Sequence, residues 1–160
     1  MEKISDKQKS IIKAKEYVFR LLNFRLRSEH EIREKLLQKN FSPEDIDRTI
    51  KYFKEFDLIN DRQFAKKWIS SRQSKPYGQN RIRFELKQKG IKEDVIEEEL
   101  FHGFLNFSEE TLVCQLVEKQ SVKYRGIDPV KRKKRMYDFL IRRGYNNHVI
   151  MKVLNRYDDR

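Results

Sequence analysis

A helical segment with a characteristic ending occurs three times in this chain. The first copy contains, in order, Ile32, Leu36, Gln38, Lys39, Asn40, Phe41, Ile46 and Ile50. Fifty residues later the same places are taken by Ile82, Leu86, Gln88, Lys89, Gly90, Ile91, Ile96 and Leu100, and after a further fifty-four by Met136, Leu140, Arg142, Arg143, Gly144, Tyr145, Ile150 and Leu154. Positions that keep their character in every copy pack the unit, and positions that differ are free for function. The chain therefore repeats one architectural unit.

The local signals within each unit are helical, with only five glycines and three prolines in the whole chain. Ser28 and Glu31 have the spacing of a capping box, and Pro43 after Ser42 is typical of a helix start. Asn60, Ser108 and Asp128 are the corresponding start signals further along. Asn40, Gly90 and Gly144 suit the left-handed turn that ends a helix. In the first unit we expect Leu37 and Phe56 on the apolar faces of their helices.

These signals predict an all-α fold, an elongated and curved tandem array of three three-helix repeats. We expect a flexible N-terminal segment at residues 1–13 and repeats at 14–59, 60–107 and 108–160. No repeat has enough apolar surface to be well buried alone, so stacking is predicted.

The overall charge points to a polyanionic partner. The formal net charge is +12 and 39% of residues are charged. This balance favours nucleic acid, single- or double-stranded DNA, over an anionic membrane surface, and we predict no membrane partner. The sequence has no long apolar run and no signal peptide, and its single cysteine, Cys114, is expected to be a small core residue. The predicted compartment is the cytoplasm.

Catalytic and metal-binding patterns are missing from the sequence. His30, His102 and His148 lie far apart, without the spacing of metal ligands. The acids between Glu93 and Glu99 are nearly consecutive on a helix and point in different directions, so they cannot converge on one ion. No phosphate-binding glycine loop and no nucleophile motif occurs. We predict no enzyme activity, no catalytic residue, no metal and no cofactor.

Basic charge is concentrated in the first two helices of the later repeats. Ten basic residues and one acid, Glu85, lie between Arg62 and Lys92, and the next seven residues hold five acids and no base. Between Lys119 and Arg143 there are ten basic residues and two acids. We expect basic helices on one side of the array and acidic helices on the other, so that the basic side can follow a phosphate backbone.

Charge placement selects the candidate nucleic-acid-binding residues. Tyr77 is included because a tyrosine in a basic, polar loop can stack on an unpaired base. Trp68 follows Phe64 by one helical turn and is expected in the core. The candidate set is Arg72, Lys75, Tyr77, Arg81, Arg83, Lys87, Lys89, Arg132, Lys133, Arg135, Arg142 and Arg143.

The same residues resemble the RecX family of bacterial regulators of the recombinase RecA. The stretch from Leu26 to Leu36 resembles the family segment Arg-Ser-x-x-Glu-Leu-x-x-Lys-Leu. The stretch from Leu58 to Trp68 resembles its Leu-Leu-Asp-Asp-x-x-Phe-Ala-x-x-Trp signature, with Arg72 at the usual distance. Gly78, Arg81, Ile82, Glu85, Leu86, Lys89 and Gly90 match the segment that follows. The resemblance spans roughly residues 14 to 157.

The resemblance implies a protein that binds in the groove of the RecA nucleoprotein filament, and because a protein bound along a repeating filament has no need to self-associate, we expect a monomer. It implies inhibition of filament growth and of the ATPase, strand-exchange and coprotease activities of RecA. Two positions depart from the family pattern: Asp57 replaces a glycine, and Asn60 replaces an aspartate. Asn60 keeps the chemistry of a helix cap, whereas Asp57 must supply a backbone conformation that glycine adopts more easily.

Two other functions remain open from the residues alone. The last two helices of each repeat resemble a helix-turn-helix, which would make the chain a stand-alone, sequence-selective duplex-binding protein. The acids at 93–99 oppose this in the second repeat. The other alternative is a protein adaptor whose basic charge is incidental.

Overall fold

The computed structural model describes residues 6–158, which form nine α-helices joined by short turns. The helices are α1 (Asp6–Phe24), α2 (Glu29–Gln38), α3 (Pro43–Glu55), α4 (Asp61–Gln73), α5 (Gln79–Gln88), α6 (Glu93–Phe104), α7 (Glu109–Ser121), α8 (Pro129–Arg142) and α9 (Asn147–Asp158). A 3₁₀ turn, Val122–Tyr124, follows α7. No strand occurs in this range, so the all-α prediction is confirmed.

Side-chain caps start the helices where the sequence predicts. Ser28 accepts a hydrogen bond from the backbone N–H of Glu31, whose carboxylate accepts one in return from the N–H of Ser28. Ser42, Asn60, Ser108 and Asp128 each accept the backbone N–H three residues further on. Asn40, Gly90 and Gly144 adopt positive φ angles of 59°, 72° and 82°. Each cap satisfies a backbone group that the helix itself leaves without a partner.

Two apolar residues of repeat 1 are more exposed than predicted, and one turn has the strained backbone that the sequence indicated. Leu37 and Phe56 were predicted on buried faces, but they are 55% and 61% exposed. Leu37 lies about 100° around the helix from the buried Leu36, and Phe56 stands beyond the last residue of α3. Asp57 takes a positive φ of 55°, the conformation that a glycine would supply more cheaply.

The N-terminal helix is longer than predicted. It begins at Asp6, and Ser10 donates a hydrogen bond from Oγ to Asp45 Oδ2 at 2.7 Å. Lys7 Nζ lies 2.9 Å from the Glu44 carboxylate. The part of the expected flexible segment from residue 6 onward is therefore helical and in contact with α3. Residues 1–5 of that segment lie outside the described residues.

The helices group into three units, each with its own hydrophobic core. Helices α1–α3 form repeat 1, α4–α6 repeat 2 and α7–α9 repeat 3, and each apolar cluster stays within its repeat. The accessible surface is 10942 Å², compared with about 8,600 Å² for a compact monomer of this mass. The excess surface is that of an array in which each unit contacts only its neighbours.

The junction between repeats 1 and 2 joins the start of α2 to the turn after α5. Ser28 Oγ donates to the carbonyl of Lys89 at 2.7 Å, and the backbone N–H of Glu29 donates to Asp61 Oδ1 at 2.8 Å. A side chain at Gly90 would overlap His30. The contact is polar and close, without a shared apolar core.

The junction between repeats 2 and 3 has the same arrangement, and here backbone groups both donate and accept. The N–H groups of Gly78 and Asn80, at the start of α5, donate to the carbonyls of Arg143 and Gly144 at 2.8 and 3.1 Å. The N–H groups at the start of α5, which have no partner within that helix, are thus bound by carbonyl groups at the end of α8. The positive end of the α5 dipole thus meets the negative end of the α8 dipole.

The second helices of the three repeats, α2, α5 and α8, consequently run head to tail through the molecule. The turn after α8 contacts the start of α5, and the turn after α5 contacts the start of α2. We call this arrangement the α8–α5–α2 column. At the turn after α2, Asn40 takes the positive-φ position that glycine takes after α5 and α8.

Candidate nucleic-acid interface

Helix α5 divides its basic residues between two directions. Arg81, Glu85 and Lys89 are spaced at i, i+4 and i+8 and share one side, whereas Arg83 and Lys87 turn toward α6. Arg83 binds both carboxylate oxygens of Glu97, at 2.7 and 3.1 Å. Lys87 Nζ lies 2.7 Å from Glu93. Two of the predicted DNA-contacting residues are therefore already paired with the acidic helix.

Glu85 is the centre of a hydrogen-bonded cluster on the other side of α5. Its carboxylate accepts from Arg72 Nε at 2.6 Å, from Arg81 Nε at 3.1 Å and from Trp68 Nε1 at 3.0 Å. Burial alone would raise the pKa of Glu85, but the hydrogen bonds from Arg72, Arg81 and Trp68 outweigh it and lower the pKa. Glu85 stays ionised and holds two guanidinium groups in fixed positions.

Aromatic rings separate the cations of this cluster. The Arg72 guanidinium lies 4.4 Å from the Trp68 ring centre, and that of Arg81 lies 4.2 Å from the Tyr77 ring centre. Arg143, from repeat 3, lies 4.7 Å from Phe139 and 5.8 Å from Tyr77. On the opposite flank, Lys89 Nζ lies 5.4 Å from the Trp68 ring. We call this continuous row the junction strip: Lys89, Trp68, Arg72, Tyr77, Arg81, Phe139 and Arg143.

The strip joins repeat 1 through a buried carboxylate. Glu31 accepts from Lys89 Nζ at 2.8 Å and from Arg25 Nη2 at 2.9 Å. Burial alone would raise the pKa of Glu31, but the hydrogen bonds from Arg25 and Lys89 lower it to about 2. The strip therefore crosses both junctions, from repeat 1 to repeat 3.

The Glu31 contact makes part of the stability depend on pH. Because its pKa falls from 4.5 to about 2 on folding, Glu31 stabilises the folded state fully above pH 4.5. This contribution is lost as the pH falls toward 2. We expect Glu31→Gln to lower the free energy of unfolding at pH 7, and the difference from the unaltered protein to shrink steadily below pH 4.5.

Urea unfolding at a series of pH values measures this difference. Glu34→Gln is the matched control, since Glu34 lies on the same helix, is exposed and pairs with His30 at 3.4 Å. A gap between Glu31→Gln and the unaltered protein that stays constant from pH 5 to pH 2 would contradict the assignment.

The basic residues of α8 extend the strip along repeat 3. Arg132, Arg135 and Arg142 share one side of the helix with Phe139, at spacings of three, four and three residues. Lys133 turns instead toward α9, where its Nζ lies 3.1 Å from Asn155 Oδ1. The five consecutive basic residues from Lys131 to Arg135 therefore do not form one patch.

The loop before α5 carries the remaining candidates. Lys75 is exposed there, and Arg143 Nη1 donates to the carbonyl of Pro76 at 3.0 Å, which fastens the loop to repeat 3. Tyr77 is half-buried and packs against the core of repeat 2. Part of the Tyr77 ring therefore packs within the protein, whereas its place in a polar loop had indicated an exposed ring.

Three residues of the site escaped charge-based reasoning. Glu85 is an acid within a basic run, and Phe139 is a helix residue that sequence reasoning would place in a core. Trp68 was expected in the core; it does stack on Phe64 at 5.7 Å, but it also binds Glu85. The i, i+4 spacing of Arg81 and Glu85 was the available signal.

Other kinds of site are not formed by the part of the chain described here. No group of three or more His, Cys, Asp or Glu side chains within residues 6–158 could hold a metal ion. None of the helices in that range is both long and apolar enough to cross a membrane.

The fold and the strip define a class: an all-helical tandem-repeat protein with a basic, aromatic-lined surface that crosses its repeat junctions. Comparison with known proteins makes the class specific. The first, second and third three-helix domains of RecX match residues 14–53, 60–100 and 108–154. The chain belongs to the RecX family, a family of regulatory proteins.

Individual relatives support the assignment along nearly the whole chain. The regulatory protein RecX of Chlorobium phaeobacteroides is 37% identical over 90% of this chain and 93% of its own length. That of Clostridium botulinum, strain Eklund 17B, is 31% identical over 95% of this chain and 72% of its own length. The crystal structure of RecX from Lactobacillus salivarius shares the fold, with a TM-score of 0.81, 20% identity and coverage of 94% and 97% of the two chains.

Proposed function

We propose that this protein regulates a RecA recombinase by lying in the groove of the RecA–DNA filament. Its main effect is inhibitory: it limits filament growth and thereby the ATPase, strand-exchange and coprotease activities. This role belongs to homologous recombination, DNA repair and the SOS response in the cytoplasm. The role requires no catalytic residue and no cofactor.

The observation that carries the proposal is the continuity of the junction strip. Cations from repeat 2 and repeat 3 meet around Tyr77, and Lys89 connects them to repeat 1 through Glu31. A surface that crosses repeat junctions suits an extended polyanion better than a small ligand. Membership of the RecX family supports a recombinase as the protein partner.

Not all predicted DNA contacts are equally suited to that role. Arg83 and Lys87 turn toward α6 and Lys133 turns toward α9, away from the junction strip, so we assign them to the stability of their repeats. The remaining candidates belong to the strip, to the loop before α5 or to the extension along α8, and we propose that the cations among them contact phosphates and that Tyr77 contacts a base. They are Arg72, Lys75, Tyr77, Arg81, Lys89, Arg132, Arg135, Arg142 and Arg143.

The test measures single-strand-DNA-dependent ATP hydrolysis by the cognate RecA. The protein is added at a small fraction of the RecA concentration, beside a DNA-binding assay without RecA. We expect inhibition at amounts too small to coat the DNA. Inhibition that begins only when the DNA is saturated would instead support a stand-alone DNA-binding protein of helix-turn-helix type.

A matched pair of double variants ties the effect to the surface. Arg135→Gln with Arg142→Gln removes two charges from the α8 side of the strip, whereas Lys51→Gln with Lys66→Gln removes two exposed charges elsewhere. We expect the first pair alone to weaken DNA binding by about tenfold or more and to reduce its salt dependence by about two counterions. Equal effects of both pairs would contradict the assignment of the strip.

A further inference from the structure

An open groove of about 510 Å³ lies between repeats 2 and 3, beside the junction strip. Helix α5 contributes Asn80, Arg81, Phe84 and Gln88 to its walls, and α8 contributes Ile141 and Arg142. Its volume is within the range of small-molecule sites. The groove combines two guanidinium groups, two amides, an apolar surface and the carboxylate of Glu85, which is bound to Arg81.

Phe84 is the unusual residue of this groove, because it is 60% exposed. Exposing a whole aromatic ring forgoes the stabilisation that burial would give. The equivalent positions of repeats 1 and 3 are Glu34 and Asp138, by the same offsets of fifty and fifty-four residues that relate the repeats. A packing role common to the repeats therefore does not account for Phe84.

The surroundings of Phe84 fit a nucleotide. Arg81 precedes it by three residues on α5 and Arg142 faces it from α8, so cations lie on both walls of the groove. An exposed ring between guanidinium groups is the arrangement that proteins use to bind single strands, with a base on the ring and phosphates on the cations. The amides of Asn80 and Gln88 can hydrogen-bond to the edge of a base.

We propose that one unpaired base of single-stranded DNA stacks on Phe84, with its flanking phosphates bound by Arg81 and Arg142. This inference rests on the proposed function, since it assumes that the junction strip contacts DNA. Paired bases in a duplex have both faces covered by their neighbours, so the subsite is specific for single strands.

The test uses the full chain without RecA and labelled oligonucleotides, a deoxythymidine single strand and a duplex of the same length. We expect Phe84→Ala to weaken single-strand binding about tenfold and to leave the salt slope and duplex binding unchanged, because stacking releases no counterions. Phe84→Leu keeps the apolar bulk and should lose the same affinity. Phe84→Trp should restore it, with indole fluorescence quenched on binding.

Phe101→Ala is the matched control, since Phe101 is 65% exposed but lies on the acidic helix α6. We expect it to bind both oligonucleotides as the unaltered protein does. Circular dichroism melting of each variant confirms that the helices remain folded.

Three outcomes would overturn the subsite. Equal losses on both oligonucleotides would mean that Phe84 supports the strip as a whole. Unchanged affinity in Phe84→Leu would show that the ring's stacking is not needed. Undiminished single-strand binding by Phe84→Ala, with loss of ATPase inhibition, would place Phe84 against a protein partner. Failure of the unaltered protein to bind any DNA would instead refute the DNA contact in the proposed function.

Discussion

Replacement of Gly78 by alanine is expected to separate repeats 2 and 3 while each repeat stays folded. Gly78 has an ordinary φ of −78°, so alanine causes no backbone strain there. The added Cβ, however, would overlap the carbonyl group of Gly144. That carbonyl accepts a hydrogen bond from Asn80 and cannot move without breaking the junction. Overpacking of this kind costs about 1–3 kcal/mol, and more against rigid backbone.

Gly126→Ala is the opposite case and serves as its control. Gly126 has a φ of 79°, which strains any other residue, but nothing lies within 4 Å of the position where its Cβ would be. Alanine there should cost about 1 kcal/mol of stability and leave the junction intact. Comparing the two variants thus distinguishes a steric clash between repeats at Gly78 from backbone strain at Gly126.

Small-angle scattering and DNA binding distinguish the two variants. Gly78→Ala should increase the radius of gyration and weaken DNA binding by about tenfold, since the cations of Arg72 and Arg143 no longer form one row. Gly126→Ala should lower only the melting temperature. If Gly78→Ala matched the unaltered protein in both measurements, the backbone junction would not be what holds the repeats together.

The second large effect is expected at Glu85, where removing a negative charge should weaken the binding of a polyanion. Long-range electrostatics alone predicts that Glu85→Gln strengthens DNA binding, because the net charge becomes more positive. The geometry predicts the reverse. Both Arg72 and Arg81 use Nε to bind this carboxylate, which holds the two guanidinium groups in place.

Glutamine cannot hold both guanidinium groups. Arg72 and Trp68 donate to one carboxylate oxygen and Arg81 donates to the other, and in glutamine one of these oxygens becomes an NH₂ group that repels a donor. One of the two arginines would lose its hydrogen bond, and the bond that remains would no longer have an ionised group on both sides, which weakens it. We expect a five- to tenfold loss of DNA affinity, on the order of 1 kcal/mol.

Asp94→Asn is the control for net charge. Asp94 is exposed on α6 and has no ion pair within the described part of the chain. We expect this variant to bind DNA as tightly as the unaltered protein or slightly more so, as measured by fluorescence anisotropy at two salt concentrations. Tighter binding by Glu85→Gln as well would show that the strip acts through its charge alone, without fixed geometry.

The helices could be predicted from the sequence because their signals are local. Ser28 with Glu31, Pro43 and Asp128 each act on backbone groups within three residues, so the residues alone place the caps. The apolar faces of the helices could also be predicted, because the same apolar positions recur in all three copies. Errors occurred at Leu37 and Phe56, where one position around or beyond a helix decides between core and solvent.

The candidate site was less accessible to sequence reasoning, because charge counts do not reveal partners. Arg83 and Arg81 are two residues apart, yet one is bound to Glu97 and the other lies over Tyr77. Helical spacing shows that the two side chains point in different directions, but the position of α6 is needed to know which of them is paired with an acid. The contacts of Arg143 depend on how repeat 3 approaches repeat 2, which no local signal determines.

The α8–α5–α2 column has a consequence for orientation. Because its three helices run in the same sense, no two-fold axis relates one end of the molecule to the other, and the two ends also differ in charge. A DNA strand likewise has two chemically distinct ends. Binding parallel and antiparallel to the strand therefore produces different contacts with different free energies. We therefore expect the molecule to bind in one preferred orientation. Energy transfer from a fluorophore at either end of the protein to a strand labelled at its 5′ terminus should show which end lies nearer that terminus.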